Sequence, residues 1–549
     1  MKYTCMATGA AITVSDEEQD FCRKYELPLS VHAPFVRLRS LLAYRNRSNL
    51  YNSTCALTKK PILSCIPPER NLQVIDIDVW ESDEWDPRDY GRPYDFSRPF
   101  FEQFANLYSS VPLPNLSVMR GTMENSDYTH GITCAKNCYL VFSSSFNEDC
   151  MFSKFLVRCK DMVDCLNCVS CEICYECRNT FNCYSLLCSD NCYNCADSFF
   201  LDNCQSCRAC YGCVNLSNKQ YHFFNEPLTK EWYQARVAGI DLGSYASLVH
   251  EKAKFESFRK QFPRKFMYGK NNQNGVGNFL TNTKNCIDSF FLTDCEDMQY
   301  CVWVNKGKSS FFHCMYGNSS ELIYNSVSTG DSAYNVKFSA ECWQSPRDLE
   351  YCIYCCYGAA CCFGCVGIKK QSYYILNKQY SREEYSAMLP RIKEHMRSTG
   401  EYGKFFPPGL SPYYFNHTEA FYFLALPREE ALACGYRWND EWHPHEASRY
   451  SIPDNICDVQ DDVLQQTLYC GHSGRKYRIT KSELDFYRSK HLPLPRISPF
   501  DRVRENSSCM AIESLNNSNC ANCGVEFITM YGHDRSTLLC ETCYQQLVF

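Results

Sequence analysis

The sequence predicts a mainly β chain. Two tandem cysteine-lined β-solenoid-like arrays, each closed by a helix, lie between duplicated small α+β flanking modules of zinc-ribbon type. Three observations predict this. The first is a period of three that runs without a slip from Cys138 through Val141, Ser144, Asn147 and Cys150 to Cys207, Cys210, Cys213 and Leu216. Cysteine fills most of these positions, small or aliphatic residues fill the others with one asparagine, and none is charged or aromatic. One phase in three is therefore hidden from water and short of room. The second is a duplication of the ends at an offset of 465 residues, which matches Cys5 to Cys470, Phe21 to Phe486 and Leu27-Pro-Leu29 to Leu492-Pro-Leu494. The third is a closing unit, Cys210-Tyr-Gly-Cys213 with Tyr221 and Asn225, which returns as Cys362-Phe-Gly-Cys365 with Tyr373 and Asn377.

Taken in order, residues 1–80 read as a degenerate zinc-ribbon-like flank, a short strand and a capped helix followed by a metal knuckle pair that keeps one of its four cysteines. Its positions Cys55, Thr58, Ile75 and Asp78 stand where the C-terminal copy has four cysteines, so Ile75 is expected to pack in place of a ligand. Residues 81–127 form an aromatic and proline-rich bridge, with a short helix expected over Ser97 to Tyr108. Residues 128–227 hold the first array and its closing unit. Asn or Asp precedes many of its cysteines (Asn137, Asp149, Asn182, Asn191, Asn203) at spacings near a dozen, which suits the corners of a narrow coil. Period three is not the period two of a flat strand, so each side must be very short. A helical connector is expected over 228–274, from about Thr229 to Lys260.

Residues 275–380 hold the second array. Its phrase Asn285-Cys-Ile-Asp-Ser-Phe-Phe-Leu292 repeats Asn194-Cys-Ala-Asp-Ser-Phe-Phe-Leu201, and its register slips between Val304 and Cys314 and again before Cys356. A helix opening at Ser381-Arg-Glu-Glu384 and an aromatic linker follow over 381–465. The C-terminal flank spans 466–549. Thr480-Lys-Ser-Glu483 is a capping-box signature there.

Composition narrows the function classes. At 549 residues the chain buries ample core without staples, and its net charge of −6 argues against a surface made wholly for nucleic acid. The first residues lack an apolar signal core and no run approaches membrane-spanning length, so a reducing cytoplasm is expected and no membrane partner. In such a compartment, 40 cysteines read as metal ligands or packing before disulfides. Cys520-x-x-Cys523 and Cys540-x-x-Cys543 form two knuckles at a spacing that supplies four soft ligands to zinc. The array cysteines read as small hydrophobes in a tight interior. Overlapping pairs such as Cys165, Cys168, Cys171, Cys174 and Cys177 cannot all serve separate tetrahedra, and the same phase admits Ser, Leu, Val and Thr.

No phosphate loop, nucleophile elbow or zinc-protease helix is present, so enzyme chemistry has no anchor and no small-molecule substrate is evident; a thiol or iron–sulfur redox enzyme using the array cysteines stands third among the readings. His443-Pro-His445-Glu446, after Trp438 and Trp442, resembles a ligand set but Pro444 breaks helical spacing. Basic residues gather on the flanks: Arg37 and Arg39 in the first, and Arg475, Lys476, Arg478, Arg502 and Arg504 in the second. They are candidate nucleic-acid contacts, against the plainer reading of a solvated face and a protein partner.

Several phrases together carry a family likeness. They are Leu27-Pro-Leu29, Cys55-Ala-Leu-Thr-Lys-Lys-Pro61, the run from Tyr90-Gly-Arg-Pro to Phe104, Lys136-Asn-Cys-Tyr139, the Cys210 to Asn225 unit and Cys540-Glu-Thr-Cys-Tyr544. Over nearly its whole length the chain resembles a family of uncharacterised cysteine-rich bacterial proteins with zinc-knuckle terminal modules. Members often carry Cys-x-x-Cys and Cys-Pro-x-Cys-Arg in the first half of each flank. Here only Cys5 and Cys470 remain, with Thr8, Ala33 and Val36, and Ser473, Ser498 and Asp501, in the other places. The resemblance implies the architecture and brings no activity with it.

Overall fold

Period three becomes a coil because one residue in three is left-handed. In the computed structural model, φ at Asn137, Leu140, Ser143, Phe146 and Asp149 lies between 51° and 59°, and the pattern continues through the array. Each left-handed residue turns the chain, and the next residue points inward. The third bonds its backbone to the neighbouring coil. Asn and Asp tolerate this backbone best, which accounts for their recurrence before the cysteines. They also bond to one another up the stack: the Asn137 amide donates to Asp149 at 2.9 Å and Asn285 to Asp297 at 2.8 Å, each pair 12 residues apart. The structure describes residues 2–548 except 47, 120, 168–171, 176, 178–179, 441–449, 509–511, 513–514 and 532–536.

A coil takes 12 residues in the first stack, where Tyr139, Asn147 and Ser153 find their partners one coil on. That makes four sides of three residues. Among the described residues, seven parallel strands from Met123–Glu124 to Ala196–Phe199 form its sheet. A 14-stranded sheet follows, from Gly269–Lys270 to Lys378–Gln379. Its early coils keep the step of 12, whereas bonds such as Ile323 to Ser310 and Cys352 to Ser339 span 13. The extra residue sits at one corner, where two successive residues are left-handed: Met315 and Tyr316, Asp331 and Ser332, Gln344 and Ser345, Tyr357 and Gly358. The second stack slips as the sequence predicts, but not at the places expected. The step of three holds from Trp303 through Phe312 to Met315, the first insertion comes after Cys314, at the bulge where Val302 and Val304 pair with Cys314 and Gly317, and the last comes after Cys356. The closing units are antiparallel hairpins, Phe223 beside Glu226 and Ile375 beside Lys378.

The interior explains the cysteines. In many coils an inward residue turns its backbone N–H along the stack rather than to a carbonyl. A side chain one coil back accepts it instead: Leu156 N–H donates to Ser144 Oγ and Cys165 N–H to Ser153 Oγ, both at 3.0 Å. Sulfur does the same at greater length, as Gly307 N–H to Cys295 Sγ at 3.3 Å and His313 N–H to Cys301 Sγ at 3.4 Å. The thiol in turn donates to the carbonyl two residues before it, as Cys192 to Asp190 and Cys165 to Val163 at 3.2 Å. A small side chain that both accepts and donates, yet is at home among aliphatic neighbours, is serine or cysteine. No disulfide joins the cysteines whose side chains are described, which leaves out that of Cys174. Cys168 and Cys171 lie outside the described residues.

The connector forms two helices, Lys230–Ala238 and Tyr245–Arg259, rather than one stretch, with a bend at Gly239 to Ser244. The bridge helix is Phe100–Ser110, and Phe100 meets the rings of Tyr351 and Phe363 on the second sheet. Both capping boxes form, at Ser381/Glu384 and Thr480/Glu483. Among the described residues no helix is long and apolar enough to cross a membrane.

The two sheets meet through a column of rings. Phe279, Phe291 and Trp303 stack on successive coils of the second sheet at 4.7 and 4.3 Å, and Phe155 of the first continues the column at 4.1 Å. Each flank docks on one sheet by the same device. Arg37 pairs with Glu18 at 2.6 Å and reaches the Tyr324 hydroxyl of the second sheet. Arg502, its counterpart, pairs with Glu483, the counterpart of Glu18, and with Asp164 of the first sheet. All four flank residues and both recipients are buried.

Candidate metal centre

Four copies of one small turn lie in the flanks. At Cys5, Cys55, Cys470 and Cys520 the cysteine N–H donates to the carbonyl five residues on, and its own carbonyl accepts from the N–H four residues on. That fourth residue is left-handed each time: Gly9, Lys59, Gly474 and Gly524, with φ of 70°, 61°, 68° and 74°. This is the backbone of a metal knuckle, which aims N–H groups at a sulfur. The recurring Gly four residues after Cys5, Cys470 and Cys520 is the sequence signal that marks it.

Only the last copy keeps four thiols. Cys520 and Cys523 lie in the turn of the hairpin Asn516–Asn519/Glu526–Thr529, and Cys540 and Cys543 begin the helix Glu541–Val548. Their four sulfurs lie within 4.8 Å of one another. Cys523 and Cys540 are 3.7 Å apart, and a tetrahedron with metal–sulfur bonds of about 2.3 Å has edges of about 3.8 Å. Cys540 N–H donates to Cys520 Sγ at 3.3 Å, Cys543 N–H to Cys540 Sγ at 3.5 Å and the Asn522 amide to Cys543 Sγ at 3.3 Å. Burial would raise the Cys520 thiol, but the N–H groups of Cys523, Cys540 and Asn522 outweigh it and bring it down to about 6. Four thiolates this close repel one another unless a cation sits among them. The donor set fits a soft divalent ion.

The other copies fill the places of the missing thiols in three ways. Beside Cys470, Ser473 and Ser498 both donate to the Asp501 carboxylate, the latter at 2.6 Å, so hydrogen bonds join the four positions. Beside Cys5, the Ala33 N–H reaches the sulfur at 3.2 Å while Ala33 and Val36 pack with Ile12 and Val14. Beside Cys55, the N–H groups of Thr58 and Asp76 face the sulfur, and Ile75 is wholly buried.

The four-cysteine group stands at a junction. Its strand Leu538–Leu539 pairs with Arg264–Lys265 at the end of the connector, and Lys265 reaches Glu541 at 2.9 Å. Tyr544 donates to Asn215 at 2.6 Å and meets Asn203, both corner residues of the first sheet. Asn278 of the second sheet donates to the Tyr531 hydroxyl at 3.2 Å.

The basic residues divide. Arg37 and Arg502 are closed off by the carboxylates they pair with, and Arg37 also lies 3.4 Å over the Phe312 ring. Arg39 donates to the Leu424 carbonyl at 2.9 Å. Arg475 lies over Phe500, and Arg504 pairs with Asp501 at 3.2 Å. Both line a hollow with Arg428, His417 and Trp438. Lys476 and Arg478 are exposed. His443, His445, Glu446 and Trp442 lie outside the described residues. No family model matches the chain, and no curated protein matches it.

Proposed function

We propose that this is a zinc-binding structural and interaction protein. Two tandem cysteine-lined arrays are held as one body by zinc-ribbon-type flanks, and the joined surface is offered to a protein partner. The observation that supports it is the position of the four-cysteine group, in contact with corners of the first sheet, the connector and the start of the second sheet at once. Zinc there would hold four thiolates in a closed tetrahedron and so hold Leu538–Leu539 and Tyr544 against what they touch. Cys520, Cys523, Cys540 and Cys543 are its ligands.

Metal analysis of protein purified without oxygen tests this, with hydrogen exchange before and after chelation. About one zinc per chain, with faster exchange after chelation in Arg264–Lys265 and around Asn203 and Asn215, supports the reading. Full retention of protection there after the metal has gone refutes it. Nucleic-acid binding through the flanks is the alternative. Arg475 and Arg504 at one hollow favour it, and burial of Arg37 and Arg502 weighs against it. Steep loss of binding with salt would favour the alternative.

A further inference from the structure

We infer that Cys457 is a nucleophilic thiol, served by His491 as base and Asp241 as the residue that positions the imidazole, and that it exchanges with low-molecular-weight disulfides. Cys457 is exposed, and its sulfur lies 3.9 Å from His491 Nδ1. On the other side of the ring, His491 Nε2 lies 3.0 Å from Asp241 Oδ1. A carboxylate at Nε2 holds the proton there and leaves Nδ1 as the acceptor facing the thiol. This is the order nucleophile, base, orienting acid on which activated cysteines rest.

Three segments distant in sequence are built to bring it about. Asn455 and Ser244 form an antiparallel bridge, and the Ile456 N–H donates to the Gly243 carbonyl at 3.0 Å, which fixes the Cys457 segment on the connector. The Asn455 amide holds the second oxygen of Asp241 at 2.7 Å, and the Gly243 N–H donates to the first at 2.9 Å. His491 follows the helix Lys481–Ser489 in the left-handed conformation, φ 51°, which turns its ring back toward the connector. Gly243 makes room for that ring: a Cβ there would lie 2.6 Å from His491 Nε2. The Arg488 guanidinium donates to the Val459 carbonyl at 2.8 Å and ties the same helix to the Cys457 segment.

The site is on open surface, so it suits a small disulfide rather than an extended substrate. In the exchange, Cys457 S–H passes its proton to His491 Nδ1 and the sulfur attacks one sulfur of R–S–S–R. The disulfide bond breaks, a Cys457 S–S–R bond forms, and R–S⁻ leaves and takes the proton from the imidazolium. The small disulfide is reduced by the thiol it captures, and no other oxidant enters.

The test is the rate at which single cysteines of the whole, metal-loaded protein react with dithiobis(nitrobenzoate), followed by peptide mass spectrometry. Cys434, also exposed, is the internal reference. Cys457 is expected to react at least about ten-fold faster than Cys434, and His491→Gln is expected to remove that advantage. Gly243→Ala, which displaces the ring, should do the same with the thiol untouched. Asp241→Asn should slow Cys457 and Asp241→Glu should recover it. Oxidised glutathione should leave its adduct on Cys457 in the unaltered protein. A Cys457 no faster than Cys434, or an unchanged Cys457 rate in both His491→Gln and Gly243→Ala, overturns the assignment.

Discussion

Replacing Arg502 by methionine separates a docking role for the flank arginines from a nucleic-acid role. Arg502 Nε lies 2.9 Å from the Asp164 carboxylate and Nη2 lies 3.1 Å from Glu483, and the side chains of both acids are fully buried. Methionine keeps much of the volume and removes the charge, leaving two buried carboxylates on opposite sides of the docking surface without a cation. Removing one partner of a buried ionic group costs about 3–5 kcal/mol, which is roughly a hundred- to several-thousand-fold in the equilibrium for release of the flank. Part of this is relieved because Glu483 takes up a proton: burial, more than the opposing attraction of Arg502, already raises it to about 7. Amide hydrogen exchange on Lys481–Ser489 and on the face carrying Met151, Val163 and Tyr175 reads the release directly. The N-terminal flank, docked through Arg37, is the reference in the same spectrum. Adding Asp164→Asn and Glu483→Gln to the Arg502→Met protein should recover part of the loss, since neither amide is left charged. A change below about 1 kcal/mol, the size expected of an exposed ion pair, would refute the docking account.

Other expectations follow from the same contacts. Because Glu483 is raised in the folded state, folding binds a proton between pH 4.5, its ordinary value, and about 7. Stability of the C-terminal flank should therefore be greater at the acid end of that window and fall as pH rises through it, by at most about 3 kcal/mol, in denaturant titrations at several pH values. Glu483→Gln should flatten that slope. Ser153→Ala leaves the inward N–H of Cys165 without its acceptor and should cost about 1–3 kcal/mol, whereas Ser153→Cys should cost less, as read by urea unfolding. Cys543→Ser should lower metal content and expose Tyr544, while Cys470→Ser should leave metal content unchanged, because Ser473, Ser498 and Asp501 already join that copy by hydrogen bonds. Gly277 has φ 146° and a Cβ there would fall 1.8 Å from the Ser289 carbonyl oxygen, so Gly277→Ala should unfold the first coils of the second sheet, seen as protease cleavage near 277–289.

The period of three, the Asn and Asp before the cysteines and the near-dozen spacing between them were enough to read thin coils with a buried cysteine phase. That is because a left-handed corner every third residue leaves its mark on composition: Asn or Asp where the chain turns, and Ser or Cys where an inward N–H needs an acceptor. That the second array slips was visible too, but not where: each slip is an added left-handed residue at one corner, at 315–316, 331–332, 344–345 and 357–358. The four cysteines that could hold a metal ion were legible because their spacing is local. Three things were not. The ring column from Phe279 to Phe155 joins two sheets whose partners lie more than a hundred residues apart, so no local pattern records it. Arg37 and Arg502 look in sequence like any surface cations; their buried partners, Glu18 with the Tyr324 hydroxyl and Glu483 with Asp164, are supplied partly by another segment. Cys457, His491 and Asp241 stand in three separate elements, and only the bridge between Asn455 and Ser244 and the missing side chain of Gly243 bring them together. The sequence by itself determined the repeat, its corners and the local knuckles, whose partners are near in the chain. The tertiary structure alone decided which charges are buried and which thiol meets a base, because those depend on contacts that only folding makes.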